Sequence, residues 1–83
     1  MPGSEDRTRA VVEAIAYHQI VYGFPPTVRE LKDEVGYHST SAMAYRLDLC
    51  ERLGLIQRVP RLARSVTLTA AGRALAGLPP AAG

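Results

Sequence analysis

Apolar positions recur three and four apart near the start of the chain. Val11, Ile15, His18 and Tyr22 fall on one stripe, expected to be buried, which predicts a first helix over about Glu5–Tyr22, with Ser4 as its cap. Gly23-Phe24-Pro25-Pro26 breaks that period, because proline lacks an amide donor and fixes φ. Phe24, the only phenylalanine, is expected to plug the core from this turn. Thr27 followed three residues later by Glu30 makes a capping box, in which hydroxyl and carboxylate satisfy each other's orphan amides. A second helix is predicted over about Val28–Val35, burying Val28, Leu31 and Val35, with Gly36 as a left-handed stop. Ser39 then caps a third helix over about 40–53 that ends at Gly54. Stepping about 100° per residue puts Met43, Leu47 and Cys50 on its core side. Ser41, Tyr45, Asp48 and Arg52 fall opposite, with Ala44 beside them.

Beyond Gly54 the period changes to two. Leu55–Val59 and Ser65–Leu68 alternate and are rich in β-branched residues, so they read as a hairpin around a Pro60–Arg64 loop that lacks a tight-turn Asn-Gly. Thr69 caps a short last helix, Ala70–Ala76, in which Gly72 is expected to cost about 1 kcal/mol relative to alanine. The predicted fold is therefore mainly α with a small β-hairpin: a winged helix-turn-helix in the order α-α-α-β-β-α. Its recognition helix spans about 40–53 and its wing about 57–67. Residues 1–4 are expected to fray, 5–76 to form the domain, and 77–83 to be a flexible tail or linker stump.

An 83-residue chain is one domain, and 47% hydrophobic residues are too many for a disordered one. No apolar run approaches the roughly 20 residues that cross a bilayer, and the polar start MPGSEDRTR shows no signal peptide. No membrane association is expected. The lone cysteine rules out an internal disulfide and a Cys-based zinc site, pointing to a reducing cytoplasm. The net charge of +2 hides an asymmetry, since residues 1–54 carry six Lys/Arg against eight Asp/Glu. Residues 55–83 carry Arg58, Arg61, Arg64 and Arg73 and no acid. A basic last third on a neutral-to-acidic body suits a localised polyanion contact or a solvated arginine-rich loop.

The outward face of the third helix supplies the chemistry. Ser39, Ser41, Ala42, Ala44 and Tyr45 are candidates for reading base edges: hydroxyls bond bases or phosphates, and alanine methyls meet thymine methyls. Thr27, His38, Thr40, Arg46, Arg52, Arg58, Arg61 and Arg64 are candidates for the DNA backbone. Arg46 and Arg52 could instead pair with Glu51 or Asp48. His18 reads as a core or rim histidine, and Cys50 as a small core residue. Ser65 and Thr67 have no His/Asp company for nucleophilic catalysis. No enzyme activity, metal or cofactor is expected.

Gly23-Phe24-Pro25-Pro26-Thr27-Val28-Arg29-Glu30, Val35-Gly36-Tyr37, Ser39-Thr40-Ser41, Leu53-Gly54-Leu55-Ile56 and the Arg58…Pro60…Arg64…Val66 wing together resemble the N-terminal DNA-binding domain of LexA repressors, over about Thr8 to Leu68. Leu68-Thr69-Ala70-Ala71-Gly72 is similar instead to the step that leaves the wing in MarR-like regulators. Proteobacterial LexA proteins carry an asparagine early in the third helix and an acidic pair where this chain has Ala44 and Tyr45. The run Ser39–Tyr45 is closer to the Gram-positive and actinobacterial branch, although Tyr45 departs from it too. A full LexA adds a Ser/Lys self-cleaving domain, which this chain cannot supply, since its only lysine is Lys32 in the second helix. LexA proteins cut themselves at an Ala-Gly bond between domains, and this chain ends in Ala82-Gly83. A natural stand-alone regulator and an excised domain are both compatible with that.

The resulting expectation is a sequence-specific double-stranded DNA-binding regulator, a repressor of bacterial or phage origin in the cytoplasm (nucleoid). It would act as a homodimer on a two-fold symmetric operator. A winged helix used for protein recognition and a DNA-bending, excision-type phage factor are the alternatives.

Overall fold

The computed structural model describes residues 4–79. The order is α1 (Ser4–Tyr22), α2 (Val28–Val35), α3 (Thr40–Arg52), β1 (Ile56–Gln57), β2 (Thr67–Leu68) and α4 (Ala70–Leu75). Three helices carrying a two-stranded antiparallel wing form a winged helix-turn-helix. Ser4 is already helical, so the cap expected there falls inside α1. Of the fraying expected at 1–4 and the tail expected at 77–83, residues 1–3 and 80–83 lie outside the described residues.

Helix ends follow local chemistry. The Thr27 hydroxyl accepts the Glu30 N–H at 3.1 Å, while the Thr27 N–H donates to Glu30 Oε1 at 2.8 Å. Gly36, at φ 79°, stops α2: its N–H and that of Tyr37 both donate to the Lys32 carbonyl. A side chain would strain that left-handed backbone, and glycine does not. Three residues after Gly36, Ser39 Oγ accepts the Ala42 N–H at 3.1 Å and starts α3. The turn between the two helices is therefore short and closed at both ends.

Val11 and Ile15 of α1, Leu31 of α2, Met43, Leu47 and Cys50 of α3, Ile56 of β1 and Val66 form one core. Thr8, Val12, Ala16 and His18 are buried beside it. Val28 and Val35 are only partly covered. Two expectations fail at the corner after α1. Tyr22 is 54% exposed and Phe24 43% exposed, while Pro26 takes the interior place. The chain reverses at Gly23, so the apolar stripe runs past the end of the layer that would cover it. Tyr22 and Phe24 instead pack around the edge of His18, with ring centroids 4.6 and 5.4 Å away.

The hairpin is shorter than its alternation predicts. Only Ile56–Leu68 and Gln57–Thr67 pair. Beyond them Ser65 Oγ accepts the Val59 N–H at 3.0 Å and donates to the Val59 carbonyl at 3.1 Å, replacing a further ladder step. The tip is a turn closed by the Leu62 N–H on the Val59 carbonyl at 3.2 Å. Pro60 and a left-handed Arg61 (φ 65°) occupy its central positions. That is type II chemistry with arginine where glycine is usual.

Gly72 is no passive weak point in α4. It is buried, and a Cβ there would lie 2.0 Å from the Leu55 carbonyl oxygen. After α4 the Leu78 N–H donates to the Arg73 carbonyl at 2.8 Å, and the Arg73 side chain donates to the Pro79 carbonyl at 2.9 Å. Leu78 and Pro79 thus each share a hydrogen bond with Arg73 of the helix.

Candidate nucleic-acid interface

Burying Met43, Leu47 and Cys50 turns the opposite face of α3 to solvent. Ser41, Tyr45, Asp48 and Arg52 form an exposed ridge there, with Tyr45 68% exposed. Ser39, Thr40 and Ala42 are exposed at its N-terminal end, and Ala44 is half-buried on its flank. The Ser39 oxygen is occupied as the cap, so what it offers a partner is its O–H.

Two grooves flank the ridge. One, of about 700 Å³, brings His38, Ser39, Ala42 and Tyr45 together with Arg7 at the foot of α1. The other, of about 630 Å³, lies between α2, α3 and the wing, where Thr27 and Thr40 face Arg61. Arg29 in the first turn of α2 also lines it and is exposed. The sequence reading missed Arg7 and Arg29. For Arg29 the signal was present, since a stripe of Val28, Leu31 and Val35 leaves residue 29 facing outward.

Three candidate backbone contacts are spent inside the fold. Arg46 is only 8% exposed, because it sits at the edge of the core face, one turn before Cys50. Arg58 donates to Asp48 and, at 3.3 Å, to Glu51. Those carboxylates lie a turn apart on α3, and Arg58 of the wing pairs with both. Arg64 reaches back 34 residues to α2, with its Nη1 on Glu30 Oε1 at 2.8 Å and its Nη2 on Oε2 at 3.1 Å. Its Nη1 also donates to the Pro25 carbonyl at 3.2 Å, and its guanidinium lies 4.6 Å from the Phe24 ring centre. Arg64 is the clasp that holds the wing to the helix-turn-helix. Among the described residues Arg7, Arg9, Arg29, Arg52 and Arg61 are exposed and form no ion pair, and of these Arg7, Arg29, Arg52 and Arg61 lie on α3 or line its flanking grooves, where a polyanion could meet them.

Glu30 is the centre of that clasp. His18 Nδ1–H donates to the Phe24 carbonyl at 3.0 Å, while its Nε2 stands 3.5 Å from Glu30 Oε1. The Arg64 hydrogen bonds, followed by the Thr27 amide, hold the Glu30 carboxyl down at about 2 from an ordinary 4.5. A depressed carboxylate stabilises the fold fully above its unfolded value and loses that contribution as pH falls through the folded one. The clasp should therefore hold above about pH 4.5 and open toward pH 2. Carboxyl-carbon NMR titration should find Glu30 near 2, rising part-way toward an ordinary value in Arg64→Met, where the Thr27 amide still holds it down. A midpoint near 4.5 in the parent would mean that the clasp is open in solution. Cys50, buried in the core, has its thiol pKa raised by desolvation, as befits an unreactive packing residue.

The chain matches the LexA DNA binding domain family over residues 2–65. It belongs to that family. LexA repressor 2 of Nocardia farcinica is 42% identical over 79 residues, covering 92% of this chain. The LexA repressors of Mycolicibacterium smegmatis and Corynebacterium jeikeium are 39% and 38% identical, each covering 83% of it. All three are actinobacterial, the branch that the Ser39–Tyr45 run resembles. The chain spans only 32%, 28% and 26% of these relatives' lengths. Among the described residues no helix is long and apolar enough to cross a membrane.

Proposed function

We propose that this chain is a sequence-specific double-stranded DNA-binding module of a transcriptional repressor, with α3 in the major groove and the wing on the flanking backbone. The observation that carries this is the ridge of Ser41 and Tyr45 with Ser39 and Ala42, small and polar groups held outward on the second helix of a LexA-family helix-turn-helix. Hydroxyls and a phenol there suit base edges, and Ala42 suits a thymine methyl. Arg29, Arg52 and Arg61, with Thr27, Thr40 and His38, supply phosphate contacts around it. One copy reaches few base pairs, so two copies bind half-sites about one helical turn, or a multiple of it, apart. The module catalyses no reaction and works where the chromosome lies, in the cytoplasm.

Selection of bound duplexes from a random library tests this reading. A two-fold symmetric motif is expected, and the absence of any enriched motif would overturn it. Salt dependence then counts the phosphates. Arg61→Gly suits the turn's positive φ and removes one charge, so it should flatten the slope of log affinity against log salt by about 0.9 per subunit. An unchanged slope would remove the wing tip from the backbone contacts.

A further inference from the structure

Val59 and Leu62, at the wing tip, are 55% and 59% exposed. Loop tips ordinarily carry polar residues, and these two sit on a tip held tightly in place. Ser65 ties both backbone groups of Val59, and the Leu62 N–H closes the turn. Arg64 bolts the far side of the loop to Glu30. Arg61 and Arg64, either side of Leu62, are both left-handed, at φ 65° and 56°. Such backbone costs free energy at non-glycine residues and persists where the surroundings enforce it, often at functional positions. The neighbourhood is cationic: Arg61 adjoins Leu62, and no acidic residue follows Glu51.

We propose that the wing tip is an apolar wedge for the minor groove of DNA, with Leu62 the inserting side chain and Val59 and Pro60 its shoulder. This rests on the DNA-binding reading above and adds a mode of action to it. Minor-groove proteins insert leucine, proline and similar side chains between base steps, unstack them and bend the duplex. A wedge is served by rigidity, an apolar surface and a free cation that draws it onto the phosphates, and the tip combines all three, the free cation being Arg61. Insertion is easiest at flexible pyrimidine–purine steps, so the wedge adds sequence preference on the flank of each half-site, away from α3.

The test uses the whole chain and a duplex bearing the selected motif. 2-Aminopurine replaces each flanking adenine in turn, and fluorophores at the duplex ends report bending by energy transfer. Binding of the parent should raise 2-aminopurine emission at one step beside each half-site and bring the ends closer. Leu62→Ala should abolish both signals and weaken binding roughly ten-fold, with the salt slope unchanged because no charge is lost. Leu62→Met should keep both signals. An equal melting temperature for each exposed-site variant excludes misfolding as the cause. A parent that binds its motif without unstacking or bending overturns the wedge and leaves the DNA-binding reading intact. So does Leu62→Ala behaving like the parent, and the exposed tip would then belong to a protein contact. A chain that selects no motif overturns both.

Discussion

Leu47→Ala should strip the domain of a large share of its stability, whereas Tyr45→Ala should leave it folded and unable to discriminate its site. Leu47 is fully buried among Ile15, Leu31, Met43 and Cys50. Truncation removes its transfer free energy and leaves a cavity between three helices, costing about 2–5 kcal/mol. A domain of this length has a total stability on the order of 4–12 kcal/mol, so the melting midpoint should fall by roughly 10–30 °C. Tyr45 lies on the opposite face and supports nothing in the core. Tyr45→Ala, and Ser41→Ala with it, should melt within a few degrees of the parent. Each should lose about 1–3 kcal/mol on the preferred duplex and much less on random duplex. A Leu47→Ala protein that melts like the parent would reverse the two faces of α3, and the readout residues would fall with them. Calorimetry and binding on the same samples decide the matter.

What was legible in the chain is what neighbouring residues determine. The Thr27–Glu30 box, the Gly36 stop and the Ser39 cap act over three or four residues, and all three lie where the local signals put them. The faces of α3 follow from its period alone. The misplacements involve contacts between distant segments. Arg58 and Arg64 carry the same charge and the same loop context as Arg61, yet each meets carboxylates on a helix packed earlier in the chain. No periodicity reveals that Glu30, already occupied as a cap, has a second oxygen free for an arginine 34 residues on. Arg46 is a boundary case, because a core arc drawn for three residues covers a fourth one step to its side. Phe24 was misread because size was taken as a guide to burial, while the smaller Pro26 fits the space behind the cap.

These corrections change how the interface works. A wing with three free arginines would be a loosely held electrostatic arm. A wing with two of its three arginines spent on Asp48, Glu51 and Glu30 is instead a fixed part of the helix-turn-helix. Its distance from α3 is then set by the fold, so the spacing between the proposed major-groove and flanking contacts is built in before DNA arrives. Preorganisation of that kind lowers the ordering cost of binding.

Gly72→Ala should destabilise the domain, although helix propensity alone argues the reverse. In a free helix, alanine for glycine gains about 1 kcal/mol. Here the new Cβ would lie 2.0 Å from the Leu55 oxygen and 3.1 Å from its carbonyl carbon. That carbonyl cannot easily step aside, because it accepts the Thr69 N–H at 3.1 Å. Thr69 in turn donates its hydroxyl to the Gly54 carbonyl at 2.6 Å and caps α4 through the Gly72 N–H. Relief therefore requires α4 to lift away from the step between α3 and β1, loosening its packing on α1 and β2. Overpacking of this sort costs about 1–3 kcal/mol, occasionally more, enough to outweigh the propensity gain. Ala74→Gly, at an exposed position of the same helix, should lose about 1 kcal/mol and shows whether propensity governs the open face. Urea unfolding of the three proteins reads the comparison directly. If Gly72→Ala unfolds at a higher urea concentration than the parent, α4 does not approach Leu55 as closely as the fold requires.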